Sequence, residues 1–281
     1  MQLTEALGLR SRETIAFVGG GGKTTAMFRL AGELAAAGRR VVTSTYTRLA
    51  VREAALAPKC LTCQDADSLL AELPAALSGS RSVLAVESVN IAQDRVGGLK
   101  VQVLERIAAL ADVDFLLVEA DGSRELPFKA PAAYEPLIPG CATIVIPVVG
   151  LDILGLPLTA EYVHRPELVA ALVQVGIGEP ITPAVVATVL GHRQGGAKNA
   201  PPLARVVPLL NKAETAPRRE AAFEIARLLL ERPWIERVLI GAVATSEPVR
   251  GVLQSPQETH GPRATGIRTR REEGQAQLAS I

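Results

Sequence analysis

The sequence predicts an α/β protein with a mostly parallel sheet and helices on both faces. Short apolar runs alternate with segments of helical periodicity from residue 15 to residue 242, which is typical of a parallel sheet. Hydrophobic residues make up 48% of the chain and aromatic residues only 3%, so Ala, Val, Leu and Ile must form the core. We expect one domain over residues 1–254 and a disordered, polar tail over residues 255–281.

The elements are predicted from apolar periodicity and from turn residues. Strands are expected at residues 15–18, 39–47, 82–86, 113–118, 143–149, 206–210 and 237–242. Helices are expected at residues 23–37, 49–57, 68–77, 101–111 and 218–231, and two more should begin near Pro166 and Pro183. Gly38 is expected to follow the last residue of the first helix, a position that glycine often occupies.

Charge and hydropathy exclude several classes of protein. A net charge of +1 argues against a general nucleic-acid or membrane-surface binder, which needs a strong basic excess. Residues 1–12 contain no basic-then-apolar segment of the kind found in secretory signals. The longest apolar run, near residues 142–151, is too short to span a bilayer and contains Pro147. We therefore expect a cytoplasmic protein.

The three cysteines are Cys60, Cys63 and Cys141. An odd number without a secretion signal predicts no disulfide framework. Cys60 and Cys63 form one C-x-x-C pair, which lacks the second pair or the histidine that a tetrahedral zinc site needs. Incidental cysteines are the favoured interpretation, while a redox pair or a soft-metal site stays open.

Residues 14–37 carry the most informative pattern in the chain. A short apolar strand is followed by four glycines at residues 19–22, then Lys23 and two threonines, then a helical pattern. Glycines let the backbone bend and approach an anion closely, and the first turn of the helix adds unpaired N–H groups and a positive dipole end. This order predicts a phosphate-binding loop; a glycine-rich turn without a ligand is the alternative.

The loop is shorter than the usual G-x-x-x-x-G-K-[ST] pattern, because Phe17 stands where the first glycine would be. It reads G-x-x-G-K-T from Gly19 to Thr24, and its length resembles that of the loop in Mur-type amide ligases. We expect Lys23 to reach the β- and γ-phosphates and Thr24 to offer its hydroxyl to Mg²⁺. The predicted nucleotide-binding residues of this loop are Gly19, Gly20, Gly21, Gly22, Lys23, Thr24 and Thr25.

Two later strand ends are expected at the same edge of the sheet. The second strand ends in five hydroxyl residues, 43–47, and we take Thr45 as a candidate Mg²⁺ ligand. The alternative is that these residues have no ligand, because Thr and Tyr are common in strands anyway. The apolar strand at 113–118 runs into Glu119 and Asp121, a Walker B arrangement. Glu119 is the expected Mg²⁺ ligand and Asp121 the residue that orients the attacking group. Acidic residues in an ordinary turn are the alternative.

Several basic residues follow these carboxylates. Arg124 and Lys129 lie in a proline-rich stretch and are candidates for binding an anionic second substrate, with a solvated loop as the alternative. The glycine-rich, basic segment 191–198 is a candidate lid over phosphates, or else a surface loop.

The strand at 206–210 leads into Asn211 and Lys212, with Glu214 two residues later. This stretch resembles the N-K-x-D base-recognition motif of GTPases, with Glu in place of Asp. We therefore expect Asn211 and Lys212 to contact the base of ATP or GTP.

Several stretches together resemble the YqeC family. They are G-G-G-G-K-T-T at 19–25, the threonine-rich strand end, E-A-D-G-S at 119–123, P-F-K-A-P at 127–131, E-P-L-I-P at 135–139, G-L-D at 150–152, His164-Arg165 and Asn211-Lys212. The strand that ends in Glu119 is also similar to the V-E-G strand of dethiobiotin synthetase, whose Glu lies near Mg²⁺. The YqeC resemblance implies a role in the maturation or biosynthesis of the selenium cofactor of selenium-dependent molybdenum hydroxylases. It implies a molybdenum hydroxylase or a selenium donor protein as partner.

The residues and the resemblance together predict a phosphate-loop NTPase-like protein that uses Mg²⁺ and ATP or GTP. Lys23, Glu119 and Asp121 are the predicted catalytic residues. Two alternatives stay open: a biosynthetic kinase or ATP-dependent ligase for a small anionic substrate, and a non-catalytic nucleotide switch that binds a partner enzyme.

Overall fold

The computed structural model describes residues 1–63 and 65–255. The predicted disordered tail therefore lies outside the described residues from 256 onward. The strands are β1 (Glu13–Gly19), β2 (Val41–Thr45), β3 (Cys60–Thr62), β4 (Ser82–Val86), β5 (Ser88–Asn90), β6 (Arg95–Gly97), β7 (Phe115–Glu119), β8 (Phe128–Lys129), β9 (Ile144–Gly150), β10 (Val163–His164), β11 (Arg205–Val206), β12 (Leu209–Asn211), β13 (Arg237–Gly241) and β14 (Val249–Gln254). The helices are α1 (Leu3–Leu7), α2 (Lys23–Ala36), α3 (Val51–Ala54), α4 (Ala66–Gly79), α5 (Val101–Ala109), α6 (Pro166–Val173), α7 (Pro183–Gly191) and α8 (Ala216–Leu230).

Ten strands form one sheet in the order β14-β13-β12-β9-β1-β7-β2-β4-β3, with β11 also paired to β9. All neighbours in it are parallel except β14, which runs antiparallel to β13. β8 pairs with β10, and β5 pairs with β6 in a small hairpin. The carboxyl ends of the parallel strands meet at one edge, where α/β proteins bind ligands.

Apolar side chains cover both faces of the sheet. Along β7, Phe115 and Leu117 pack with α1 and α2, whereas Leu116 and Val118 pack with α4 and α5. The α7 and α8 helices cover that second face over β12 and β13. The predicted α/β class, with a mostly parallel sheet and helices on both faces, is confirmed. In the described part of the chain, no helix is both long and apolar enough to cross a membrane.

The helix that follows the four glycines ends as predicted. The α2 helix is followed by Gly38 at φ 78°, and the N–H groups of Gly38 and Arg39 donate to the carbonyls of Ala35 and Leu34. A left-handed glycine that closes these bonds satisfies carbonyls that the last helical turn would leave unpaired.

The structure differs from the predicted elements in several places. Pro208 divides the strand expected at 206–210 into β11 and β12, because proline has no N–H to donate to the ladder. The proline-rich stretch after Asp121 contains the two-residue strand β8, which was not predicted. The edge strand β14 and the exposed strand β3 were also missed, since neither has the apolar run of a buried strand. The helix expected at 49–57 is only the single turn α3.

Candidate functional site

The glycine loop lies at the centre of the sheet, where β1 turns into α2 between β9 and β7. Gly19, Gly21 and Gly22 have φ of 93°, 75° and 117°, a region that L side chains rarely adopt. A Cβ added to Gly21 would lie 2.1 Å from the backbone nitrogen of Gly150. The loop is thus packed directly against the backbone at the end of β9, and only glycine fits there.

The loop amides fall into two groups. The N–H of Gly19 donates to the Asp121 carboxylate, that of Gly20 to the Val148 carbonyl, and that of Gly21 to the Leu126 carbonyl. The phosphate-binding role expected of these three amides stays a prediction. By contrast, the N–H groups of residues 22–25 have no acceptor among residues 1–63 and 65–255. Four donors at the positive end of α2 are therefore available to an anion.

Lys23 is buried beneath the loop. Its Nζ donates to the Gly19 carbonyl at 2.7 Å and lies 3.4 Å from a Glu119 oxygen and 3.5 Å from an Asp121 oxygen. Burial alone would lower the pKa of Lys23, but the two carboxylates outweigh it and raise the pKa. The side chain therefore stays cationic beside the loop.

Glu119 and Thr24 meet at the start of α2. The Thr24 hydroxyl donates to Glu119 Oε2 at 2.6 Å. Burial raises the pKa of Glu119, while Lys23 and the Thr24 hydroxyl act in the opposite direction. A hydroxyl and a carboxylate oxygen at the loop are the hard ligands that Mg²⁺ prefers, so the two residues fit that ion.

A Mg²⁺ ion bound here would also need oxygens from a ligand or from water. No group of three or more His, Cys, Asp or Glu side chains that could hold a metal occurs in the described residues. Incomplete protein coordination is typical of Mg²⁺ held together with substrate phosphates.

Thr45, the other predicted metal ligand, is fully buried at the end of β2 in register with Glu119. Its hydroxyl accepts from the Thr47 N–H at 3.0 Å and lies within 3.4 Å of the Thr47 and Glu119 backbone carbonyls. These contacts fix the turn after β2. A role for Thr45 as a metal ligand stays a prediction.

Asp121 connects the loop to a second buried cation. Both of its oxygens accept from the Gly19 N–H, at 3.0 and 3.1 Å, and Oδ2 lies 3.0 Å from Lys129 Nζ. The carboxylate is only 2% exposed. Asp121 thus holds the loop in place, and its predicted role in orienting an attacking group stays a prediction.

Lys129 was a candidate for binding an anionic second substrate, with a solvated loop as the alternative, but its ammonium group contacts other protein groups. It donates to the Gly122 carbonyl at 2.6 Å and to Glu135 at 2.7 Å, and it also contacts Asp121. The Glu135 carboxylate accepts from Arg165 as well. β8 is the reason for this orientation, since it turns Lys129 inward beside β10.

His164 lies next to Lys129 in the β8–β10 pair. Burial, followed by the charges of Arg165, Lys129 and Arg124, lowers the pKa of His164 to about 4. The imidazole is therefore neutral at pH 7.

Asn211 is the last residue of β12, and Lys212 follows it at the same edge of the sheet. The Asn211 amide is buried, with Nδ2 donating to the Gly21 carbonyl at 2.8 Å and Oδ1 accepting from the Val243 N–H at 3.1 Å. Lys212 reaches Asp152 at 2.6 Å, and the Glu214 carboxylate lies 3.6 Å from Arg218. Asn211 thus braces the loop, and base contacts by Asn211 and Lys212 stay a prediction.

A cleft of about 480 Å³ opens over the loop. Its cations are Lys23, Arg48, Arg52, Arg124 and Lys212. Arg124 was predicted at this site, whereas Arg48 and Arg52 were missed because they lie in a segment with weak periodicity. The threonine-rich strand end just before them was the feature of the sequence that could have indicated that they lie at this edge of the sheet.

The segment 191–198, a candidate lid or else a surface loop, packs away from the cleft. Lys198 Nζ donates to the carbonyls of Ala132 and Ala133, and the Asn199 amide donates to Pro136. The N–H groups of Gly195 and Gly196 bond within the same segment or to α7. The segment does not line the cleft in this structure.

Known proteins similar to this chain place it in a family. A family model described as YqeC protein matches residues 15–167, more than half of the chain. The uncharacterized protein YqeC of Escherichia coli strain K12 is 31% identical over 238 residues, which cover 84% of this chain and 90% of that protein. Among solved structures, chloroplast FtsY from Physcomitrella patens aligns with a TM-score of 0.44 and 15% identity over 86% of this chain, which spans 63% of that protein's length. The family match and the extent of the Escherichia coli alignment show that the chain belongs to the YqeC family.

Proposed function

We propose that this protein binds a Mg²⁺-nucleoside triphosphate in the cleft over the glycine loop and hydrolyses it. The observation that carries the proposal is the group of four unpaired N–H donors at residues 22–25, next to the cationic Lys23 and the Thr24–Glu119 contact of 2.6 Å. Donors, a cation and hard oxygen ligands within one cleft suit a triphosphate with its ion.

Each residue has a distinct part in this proposal. The amides of residues 22–25 and Lys23 bind the phosphates, Thr24 and Glu119 hold Mg²⁺, and Thr45 supports that site. The bound ion would neutralise phosphate charge. Asp121 fixes the loop through Gly19 and would orient the attacking group when the nucleotide is bound. ATP and GTP are both candidates.

The process follows from the family resemblance. We place the nucleotide chemistry in the maturation of the selenium cofactor of selenium-dependent molybdenum hydroxylases. The partner would be such a hydroxylase or a selenium donor protein. Co-purification of the tagged chain with a molybdenum hydroxylase, with and without nucleotide, tests this setting; loss of the hydroxylase in both conditions would contradict it.

Calorimetric titration of ATP and GTP with Mg²⁺ tests the binding site. We expect the wild type to bind one of them and Lys23→Ala to lower the affinity roughly tenfold to a hundredfold, the effect of losing one or two charge-assisted contacts. Thr24→Ala and Glu119→Gln should weaken binding mainly when Mg²⁺ is present. Lys59→Ala is the control, because Lys59 is exposed and does not line the cleft. A wild type that binds neither nucleotide would overturn the proposal.

A second reaction type is favoured by the cleft itself. Arg48, Arg52 and Arg124 are more cations than a triphosphate loop alone requires. Their presence makes transfer of the phosphoryl group to an anionic substrate a second candidate reaction beside hydrolysis. Formation of a phosphorylated product, measured against phosphate release, separates the two.

A further inference from the structure

The turn at residues 123–126 projects charged side chains into the cleft. The Leu126 N–H donates to the Ser123 carbonyl at 3.0 Å, which closes a four-residue turn. Its two central residues, Arg124 and Glu125, have φ of 54° and 62°. Positive φ at both positions is the signature of a type I′ turn, which strongly favours Asn and Gly. The chain keeps two strained residues here, and both line the cleft.

The same turn is joined to the glycine loop. The Leu126 carbonyl accepts from the Gly21 N–H at 3.1 Å, and the Pro127 carbonyl accepts from the Gly150 N–H at 2.9 Å. The position of Arg124 is therefore fixed relative to the phosphate-binding residues by backbone contacts rather than by a free loop.

Strand order places the three arginines at one end of the cleft. Lys212 follows β12, whereas Arg48 and Arg52 follow β2 and Arg124 follows β7. In the order β12-β9-β1-β7-β2, the loop after β1 lies between these ends. Four strand spacings separate β12 from β2, roughly 19 Å. A nucleotide whose base lies toward Lys212 would present its terminal phosphate toward the arginines.

Of the three arginines, only Arg52 forms an ion pair within the described residues, although Glu53 and Glu125 also line the cleft. Neither Arg48 nor Arg124 has a carboxylate within 4 Å in the part of the chain that the structure describes. Arg52 pairs with Glu125 across the cleft, and the two side chains are 68% and 73% exposed. An ion pair that is so exposed is weak, and a bound anion can replace Glu125 on Arg52.

We propose that Arg48, Arg52 and Arg124 form a subsite for the carboxylate or phosphate group of a second substrate, at the terminal-phosphate end of the cleft. Guanidinium groups bind both anions through paired N–H donors. This inference rests on the proposed nucleotide binding. It implies that the second substrate carries an anionic group. Arg124, in the turn at 123–126, would hold that group next to the phosphates.

The experiment uses the full chain saturated with Mg²⁺ and a non-hydrolysable ATP or GTP analogue. Binding of the analogue is measured first, by calorimetry. Inorganic phosphate and succinate are then titrated separately, with potassium chloride of equal ionic strength as the reference for screening. We expect at least one of the two anions to raise the melting temperature of the wild type above that reference. In Arg124→Ala and Arg52→Ala, the anion affinity should fall at least tenfold while the affinity for the analogue changes less than threefold.

The controls separate this inference from the proposed function. Arg227→Ala removes an exposed arginine of α8 outside the cleft and should leave anion binding unchanged. Arg124→Lys keeps the charge and should retain part of the affinity. If the analogue binds but neither anion exceeds the chloride reference, or if the arginine variants bind anions like the wild type, only the subsite is wrong. If the analogue itself does not bind, both proposals fail.

Discussion

The side-chain amide of Asn211 donates a hydrogen bond of 2.8 Å to the carbonyl of Gly21, and so connects the end of β12 to the glycine loop. The same side chain accepts from the Val243 N–H, just beyond β13. Three segments that are far apart in the sequence thus meet at one buried amide. Asn211 is a positioning residue for the loop in this structure.

We predict that Asn211→Ala lowers the affinity for ATP and for GTP by the same factor. The Gly21 carbonyl and the Val243 N–H lose their hydrogen-bond partner, at a cost of about 1–2 kcal/mol. The loop is then held less firmly, while the contacts of the nucleotide base do not change. Titration of both nucleotides into the variant measures the ratio of affinities. A ratio that shifts would instead show that Asn211 contacts the base; Lys212→Ala, tested in parallel, reports on the other predicted base contact.

We predict that substitution by alanine has opposite effects on stability at Gly21 and at Gly32. Gly21→Ala places a Cβ 2.1 Å from the Gly150 nitrogen at a φ of 75°, so we expect a loss of roughly 3 kcal/mol in stability, together with loss of nucleotide binding. Gly32→Ala, in the interior of α2 with nothing within 4 Å of the new Cβ, should raise stability by about 0.5–1 kcal/mol. Denaturant unfolding compares them, and equal effects would contradict the close packing of the loop.

Most of the parallel sheet could be predicted because its buried strands are continuous apolar runs. The strand predicted at 82–86 coincides with β4, and the predicted helix start at Pro183 is the start of α7. Elements without that signal were missed: β14 contains Arg250 and Gly251 at an edge, and β8 has only two residues. Apolar periodicity arises from the burial of side chains, so it does not indicate a strand that is short or half-exposed.

The candidate site was only partly accessible to sequence reasoning. Residue types and strand ends placed Lys23, Thr24 and Glu119 at one edge, and the structure brings them into contact. Nothing in local sequence indicates that the Lys129 side chain turns away from the cleft, since its buried partners depend on the pairing of β8 with β10. Side-chain orientation in irregular segments is decided by tertiary contacts.

Lys129 is expected to be a major determinant of stability. Its side chain is 1% exposed, and its ammonium group contacts two carboxylates, Asp121 at 3.0 Å and Glu135 at 2.7 Å. Lys129→Met would leave these buried charges without one of their cations, at a cost of about 3–5 kcal/mol. Lys59→Met, at an exposed position, should change stability by less than about 0.5 kcal/mol. Chemical denaturation of both variants checks this, and a small effect at Lys129 would contradict the network.

Acid should weaken the protein through Glu135. Burial would raise the pKa of Glu135, but Arg165 and Lys129 outweigh it and lower the pKa to about 2, from 4.5. Since the folded-state pKa is depressed, the ion pairs contribute stability above pH 4.5, on the order of 1–2 kcal/mol after solvent screening, and this contribution is lost as the pH falls from 4.5 toward 2.

The difference in unfolding free energy between the wild type and Glu135→Gln should therefore be large at pH 7 and shrink below pH 4.5. Glu72→Gln, at an exposed position on α4, is the matched control. A difference that stays constant down to pH 3 would mean that Glu135 is not the titrating group.

We predict that a double substitution in the turn at residues 123–126 raises stability and removes anion binding. In the double variant Arg124→Asn with Glu125→Gly, the residues favoured in a type I′ turn replace two that are strained at φ of 54° and 62°. We expect a gain of about 1–2 kcal/mol, which corresponds to roughly 2–4 °C in melting temperature for each kcal/mol, and loss of the anion response. The pair Arg124→Ala with Glu125→Ala removes the same side chains but keeps the strain, so it should lose the anion response without the gain. Equal melting temperatures in the two double variants would show that the backbone of this turn is not strained, because their side chains otherwise differ little in what they contact.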